Sequence, residues 1–167
     1  LAAGGTIVRK PSPETPLESF LIDEAAEEVG FPAGVLNLLT ADREMSDRLI
    51  SHPGIDKVAF TGSTAVGLHV ASVCASRMAR YTMELGGKSP VLIYDDADMA
   101  KAIAGAAVGI FINSGQGCTC GSRVYVQRRS YERVVEGIAK AAQALRLGGP
   151  DDENVDIGPL ISRKQLD

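Results

Sequence analysis

The segment FTGSTAVG, at residues 60–67, follows a strand-like run and opens a long helical pattern. Gly62 in such a strand-to-helix turn lets a ligand approach the backbone closely, and the N–H groups of a helix N-terminus attract phosphate. Ser63 adds a hydroxyl donor at the same place. The segment lacks the G-x-G-x-x-G fingerprint, so taken alone it fits an ordinary turn as well as a phosphate site.

Strand-like and helical patterns alternate on both sides of this segment. We predict strands at residues 6–9, 35–39, 55–60, 81–85, 91–94 and 124–127. We predict helices at residues 16–30, 43–51, 62–78, 99–112 and 131–145, the first opened by a capping box at Thr15 and Glu18 and the last capped by Ser130. Because parallel strands need crossover connections, the alternation predicts an α/β fold with a Rossmann-like parallel sheet and crossover helices.

Composition and charge narrow the class of protein. Apolar residues make up 45% of the 167 residues and charged residues 23%, which are ordinary values for a soluble globular domain. The net charge of −4, without a basic stripe or a Trp, argues against nucleic acid as a partner. The longest uncharged apolar run, residues 102–112, is too short to span a bilayer. Three cysteines do not suit a disulfide framework, so we expect a cytoplasmic protein with no membrane partner.

Two features bear on domain organisation. The double glycine at Gly86 and Gly87 follows a strand-like run, so we predict one domain at residues 1–86 and a second at residues 87–167. The sequence begins with Leu1, directly before a strand pattern, and stops at Asp167, just after a helix pattern begins. We therefore expect a piece of a longer protein.

The segment FINSGQGCTCGSR, at residues 111–123, places Cys118 just past a Gly-rich turn that follows a long apolar helix pattern. A thiolate beside backbone N–H groups is nucleophilic at neutral pH, which predicts a catalytic cysteine. The alternative is a buried, inert cysteine, which is common in globular proteins. Cys120 is either a packing residue or an oxidation partner of Cys118. We predict no metal site, because no companion cluster of ligands accompanies the two thiols.

Two further side chains are candidates. Glu84 ends a strand-like run of otherwise neutral residues, so we expect a partly buried carboxylate that acts as a general base. The alternative is a structural glutamate bonded to backbone amides. Lys10 follows the first strand, at the sheet edge where ligands bind, and could bond a ribose hydroxyl or a phosphate. Taken alone, a solvated surface lysine is the simpler interpretation of Lys10.

Four segments together resemble signatures of the aldehyde dehydrogenase superfamily. Residues 111–123 resemble its cysteine signature, F-x-N-x-G-Q-x-C-x-A-x-x-R, and residues 84–89 resemble its glutamate signature, E-L-G-G-K-[SP]. Residues 60–67 resemble its cofactor turn, F-T-G-S-T-x-x-G, and residues 10–16 resemble its K-P-S-x-x-T-P segment. The four follow the family's order, and the resemblance covers nearly the whole chain. It matches a middle portion of the family's length.

The resemblance implies a fold and a reaction. Residues 1–86 would be the later part of an NAD(P)-binding domain, and residues 87–167 the first part of an α/β catalytic domain. The reaction would oxidise an aldehyde to a carboxylic acid with NAD or NADP. Cys118 would form a thiohemiacetal and then a thioester, its backbone N–H would help to bind the oxyanion, and Glu84 would activate the hydrolytic water. The cofactor-binding residues that the resemblance implies are Lys10, Gly62, Ser63, Gly67 and Leu85.

Departures from the signatures limit these implications. Pro13 stands where the family often has a glutamate that binds the adenosine ribose, so NAD is favoured over NADP only slightly. Cys120 replaces the usual alanine, which makes the site prone to oxidation. The family's second oxyanion donor and its oligomer-forming arm are missing from this sequence, so a homo-oligomer is expected only of a full-length parent. Glu84 favours hydrolysis over transfer of the acyl group to coenzyme A.

Two alternatives to an aldehyde-oxidising enzyme follow from the same residues. The first is a non-catalytic fragment or partial cofactor-binding module that is inactive in isolation. The second is a redox-sensing pair formed by Cys118 and Cys120, which would not need Glu84.

Overall fold

Six short strands and six α-helices follow one another along the chain in the computed structural model, which describes all 167 residues. The strands are β1 (Ile7–Arg9), β2 (Leu36–Leu38), β3 (Lys57–Gly62), β4 (Arg80–Leu85), β5 (Pro90–Ile93) and β6 (Arg123–Val126). The helices are α1 (Glu18–Glu28), α2 (Arg43–Ser51), α3 (Thr64–Ser76), α4 (Met99–Phe111), α5 (Tyr131–Gln143) and α6 (Arg163–Leu166). No helix combines the length and the apolar character that crossing a membrane requires.

The strands pair in three two-stranded sheets, β1 with β2, β3 with β4 and β5 with β6. β1 and β2 run parallel, with Ile7 opposite Leu36, and β5 and β6 run parallel, with Pro90 opposite Arg123. One or more helical segments separate the two strands of each pair in the sequence, as crossover connections require. The predicted α/β class is therefore confirmed, although the strands of this chain form separate pairs and not one continuous sheet.

The chain divides into two compact units. The first consists of Leu1–Thr61 with Ala65–Met83, and the second of Gly62–Thr64 with Glu84–Asp167. The polypeptide thus passes into the second unit briefly at the turn between β3 and α3 and finally near the end of β4. The assignment of residues 1–86 to cofactor binding and of residues 87–167 to catalysis stays a prediction.

Each unit has its own small apolar core. In the first unit, the buried residues come from β3 and α3 and are Val58, Val70 and Cys74. In the second unit, they come from β5, α4 and α5 and are Ile93, Met99, Ala106 and Val134. Cys74 is fully buried and acts there as a small apolar residue, unlike the exposed Cys118.

Two helix caps predicted from the sequence are wrong. α1 begins after Leu17, and no side chain caps it. Thr15 does not open this helix because its N–H donates to the carbonyl of Ser12 and holds it in a preceding turn. Ser130 makes no side-chain cap to α5 either, because it is the buried last residue of a 3₁₀ turn that leads directly into that helix.

Aspartates cap two other helices. Asp42 accepts a 2.9 Å hydrogen bond from the N–H of Met45 at the start of α2. Asp98 accepts one of 3.3 Å from the N–H of Lys101 at the start of α4. Hydrogen bonding from the side chain and then the backbone of Lys101 lowers the pKa of Asp98. These caps fix where each helix begins, since they satisfy N–H groups that have no partner within the helix.

α4 and α5 approach each other closely at Gly137. A Cβ atom at this position would lie 2.7 Å from Cδ1 and 2.8 Å from Cγ2 of Ile103. Carbon atoms do not approach so closely, so only glycine fits without displacement of the Ile103 side chain. Gly105 of α4 differs, because a Cβ there would meet no atom within 4 Å.

We expect Gly137→Ala to lower the free energy of unfolding by about 1–2 kcal/mol, because overpacking against Ile103 outweighs the gain in helix propensity. Gly105→Ala is the matched control, and it should leave the free energy of unfolding unchanged or raise it by up to about 1 kcal/mol. Urea unfolding followed by circular dichroism measures both. Equal stabilities of the two variants would contradict the close packing at Gly137.

Candidate active site

The turn that carries Cys118 begins where α4 ends. Asn113 and Ser114 have φ angles of 53° and 56°, and Gly115 has a φ of 73°. Three consecutive residues therefore adopt the left-handed region, which only glycine enters freely. This reversal carries the chain from the end of α4 into the turn that holds Cys118. Residues 113–120 are called the cysteine turn below.

The two cysteines of this turn have different surroundings. Cys118 is exposed, whereas Cys120 is buried and its Sγ lies 3.8 Å from the carbonyl oxygen of Ile110. A Cβ at Gly117 would lie 3.0 Å from Sγ of Cys120, so the buried sulfur occupies the space that a side chain at Gly117 would need. A bond of 3.2 Å from the N–H of Cys120 to the carbonyl of Gly117 closes the turn. The alternative interpretation of Cys118, a buried and inert thiol, therefore fits Cys120 and not Cys118.

The loop that follows Glu84 packs against the cysteine turn within the second unit. A Cβ at Gly87 would lie 3.9 Å from the carbonyl oxygen of Cys118. Arg123 Nε donates a 2.7 Å hydrogen bond to the carbonyl of Lys88, and the N–H of Arg123 donates one of 3.3 Å to the carbonyl of Ser89. The structure therefore brings the glutamate segment, residues 84–89, and the cysteine segment, residues 111–123, together.

Glu84 itself is exposed, so the predicted partial burial of its carboxylate is wrong. The reason is strand alternation: the half-buried neighbours Met83 and Leu85 flank Glu84, which projects away from them. A run of neutral residues therefore did not indicate burial here. No group of three or more His, Cys, Asp or Glu side chains is arranged to hold a metal ion.

The predicted cofactor residues lie at or just after the ends of strands. Lys10 follows β1, is half-buried, and donates a 2.8 Å hydrogen bond from Nζ to the carbonyl of Pro11. Gly62 is the last residue of β3, and Ser63 connects it to α3. Leu85 ends β4.

Gly67 differs from these four, because it is the buried fourth residue of α3. This position suits close helix packing more directly than contact with a ligand. The roles of all five residues stay predictions.

A segment near the end of the chain contacts the cysteine turn, a contact that the motifs of the sequence do not predict. Ser114 Oγ donates a 2.9 Å hydrogen bond to the carbonyl of Gly158, and the N–H of Ile161 donates one of 3.0 Å to Gln116 Oε1. Gly158 and Ile161 make these contacts through backbone groups, which a sequence pattern does not reveal. The opposite charges of Arg146 and Asp156 are compatible with an ion pair between them but do not indicate the contact with the cysteine turn.

Comparison with known proteins identifies the family of this site. The model of the aldehyde dehydrogenase family matches residues 1–167. The chain belongs to the aldehyde dehydrogenase family. The resemblance seen in the four sequence segments is confirmed.

Individual aldehyde dehydrogenases match along nearly all of the chain. Phenylacetaldehyde dehydrogenase from Pseudomonas fluorescens is 45% identical over 165 residues, which are 98% of this chain and 33% of that protein. The NAD+ complex of aldehyde dehydrogenase from Bacillus cereus superposes with a TM-score of 0.93 at 43% identity, covering 96% of this chain and 33% of the other. The NADP-dependent enzyme from E. coli gives 0.94 at 41% identity, covering 98% and 34%. The chain thus spans about one third of the length of these relatives.

The Arg146–Asp156 pair of this aldehyde dehydrogenase chain allows a prediction about pH. Hydrogen bonds from the side chain and then the backbone of Arg146 lower the pKa of Asp156 from 3.8 to about 2. Because the pKa is lower in the folded state, the pair stabilises the fold fully above pH 3.8 and loses this contribution as the pH falls through 2. An NMR titration of the Asp156 carboxyl carbon should have its midpoint near 2, and Arg146→Ala should move it towards 3.8. A wild-type midpoint at 3.8 would show that the pair does not form.

Proposed function

We propose that the protein to which these residues belong oxidises an aldehyde to a carboxylic acid with NAD(P)+, through a covalent adduct on Cys118. The observation that carries this proposal is the exposed Cys118, on a turn packed against the loop that follows Glu84. Family membership supports the reaction class. The solved relatives include an NAD+ complex and an NADP-dependent enzyme, and the chain spans about one third of its relatives' length, so substrate and cofactor are parts of the proposal.

The chemistry assigns separate roles to the two side chains. The Cys118 thiolate attacks the aldehyde carbon to form a thiohemiacetal, and loss of hydride from this adduct leaves a thioester on the same sulfur. Glu84 takes a proton from the water that attacks the thioester, which releases the acid and restores the thiol. An exposed Glu84 suits this role because the water must reach it. A general base at this position also favours hydrolysis over acyl transfer to coenzyme A.

The residues at the β3–α3 turn fit a dinucleotide. Gly62 and Ser63 are exposed and directly precede α3, a helix of 13 residues, so its N-terminus can accept a phosphate group near the backbone. Lys10 follows β1 and offers an ammonium group to ribose or phosphate oxygens. NAD(P)+ would supply the hydride acceptor when bound. Both cofactors belong in the test, because solved relatives include an NAD+ complex and an NADP-dependent enzyme.

We expect Cys118→Ala to abolish formation of reduced nicotinamide, because no covalent adduct can form. The assay uses the protein as its gene encodes it, with NAD+ or NADP+ and a panel of aldehydes that includes phenylacetaldehyde. Cys120→Ala is the matched control and should retain turnover, because its thiol is buried. Turnover that survives in Cys118→Ala would rule out the proposed nucleophile. If the wild type has none, the chain is a non-catalytic cofactor-fold module.

We expect Glu84→Gln to leave the first turnover intact and to slow steady-state turnover by about 10²–10⁴-fold, because the thioester forms but water is not activated. Rapid mixing should show a burst of reduced nicotinamide, and mass spectrometry should find the acyl group on Cys118. Lys88→Gln is a suitable control on the same loop, since its exposed side chain donates its hydrogen bond to the carbonyl of the neighbouring Gly87. An unchanged steady-state rate in Glu84→Gln at neutral pH would remove the general-base role.

A further inference from the structure

The turn before Cys118 has a backbone that its own sequence does not favour. Asn113 and Ser114 both have positive φ angles, although neither is a glycine. Such conformations persist where surrounding contacts over-determine them, and they cluster at functional sites. The contacts that hold this turn therefore determine where Cys118 lies.

Two of these contacts come from one distant segment of the chain. Gly158 accepts the 2.9 Å hydrogen bond from Ser114 Oγ, and Ile161 donates the 3.0 Å bond to the side chain of Gln116. The acceptor and the donor on this segment are backbone groups, so their positions depend on the path of the backbone. Gln116 also donates from Nε2 to the carbonyl of Asn113 at 3.3 Å, which ties the segment to the strained residues.

A bidentate ion pair fixes the path of that segment. Arg146 Nε lies 2.9 Å from Asp156 Oδ2, and Nη2 lies 3.1 Å from Oδ1. The N–H of Arg146 donates a third bond of 3.0 Å to Oδ2. Paired guanidinium–carboxylate bonds have a defined geometry, unlike a single surface ion pair.

Backbone hydrogen bonds join the same two parts of the chain as the ion pair does. The N–H groups of Asp156 and Ile157 both donate to the carbonyl of Arg146, at 2.9 and 3.1 Å. Leu147 forms a parallel bridge with Ile157. Residues 147–155 are thus closed into a loop at their base, and Gly158 follows that base directly.

From this chain of contacts we propose that Arg146 and Asp156 are positioning residues for Cys118. They fix the base of the loop, the loop fixes Gly158 and Ile161, and these two residues hold Ser114 and Gln116 in the turn that presents the thiol. Neither Arg146 nor Asp156 touches the substrate in this proposal. The inference rests on the proposed function only for its effect on turnover, since the contacts themselves are independent of it.

The test compares Asp156→Asn with Asp151→Asn in the protein as its gene encodes it. The control removes the same charge from the same loop, at an exposed side chain without a hydrogen bond or ion pair. We expect Asp156→Asn to lower kcat by roughly tenfold and to leave the KM for NAD+ or NADP+ unchanged, since misplacement of the thiol affects the chemical step. Asp156→Glu should restore part of kcat, because it keeps a carboxylate for Arg146.

Hydrogen exchange gives a readout that does not depend on activity. The amides of Gln116 and Cys120 are bonded within the cysteine turn, to the carbonyls of Asn113 and Gly117. We expect both to exchange faster in Asp156→Asn and to be unchanged in Asp151→Asn. Ser114→Ala, which removes one link without touching the ion pair, should reproduce the faster exchange and the lower kcat even if Asp156→Asn folds poorly.

Each outcome decides the proposal. Unchanged exchange at Gln116 and Cys120 in Asp156→Asn overturns it, whatever happens to kcat. If that variant does not fold, unchanged exchange in Ser114→Ala overturns it. Faster exchange with unchanged kcat also overturns it, because a loosened turn would then have no effect on the reaction of the Cys118 thiol. If the wild type shows no turnover, the proposed function fails, and the exchange result alone decides whether the pair holds the turn.

Discussion

The hydrogen bond from the Arg123 guanidinium to the carbonyl of Lys88 is the contact on which the arrangement of the site depends. At 2.7 Å it joins the first residue of β6 to the loop before β5, and the backbone bond from Arg123 to Ser89 begins the parallel pairing of these strands. The same residue ends the cysteine segment, so the pairing of β5 with β6 also sets the glutamate loop beside Cys118. The arrangement of the two motifs thus follows from a requirement of the fold.

The secondary structure could be predicted from the sequence because its signals are local. Helical spacing and strand-forming runs gave α2 at its observed bounds, Arg43–Ser51, and gave the other main elements to within a few residues. Gly30 ends α1 with a φ of 78°, as a glycine after a helix predicts. The predicted caps at Thr15 and Ser130 are wrong because a capping position competes with the turns on either side of it. The sequence pattern alone does not show that the N–H of Thr15 is bonded to the carbonyl of Ser12.

The site could be predicted only in part, because sequence spacing identifies residue types and not their surroundings. The family signatures selected Cys118 and Glu84, and the structure packs their segments together. The exposure of Glu84 depends on which face of β4 meets the core, which its neutral neighbours do not reveal. The contacts from Gly158 and Ile161 are made by backbone groups more than forty residues away from the turn, so no local pattern could indicate them.

Cys118 and Cys120 are identical side chains that one turn places in different surroundings. The bond from Cys120 N–H to the Gly117 carbonyl closes the turn, and the missing side chain at Gly117 leaves room for the Cys120 sulfur inside the protein. Burial removes that thiol from reagents in solution, whereas the exposed Cys118 can meet a carbonyl compound. A redox pair would require both sulfurs to be reachable by an oxidant and by each other. The burial of Cys120 therefore favours the division of roles in which one cysteine reacts and the other packs.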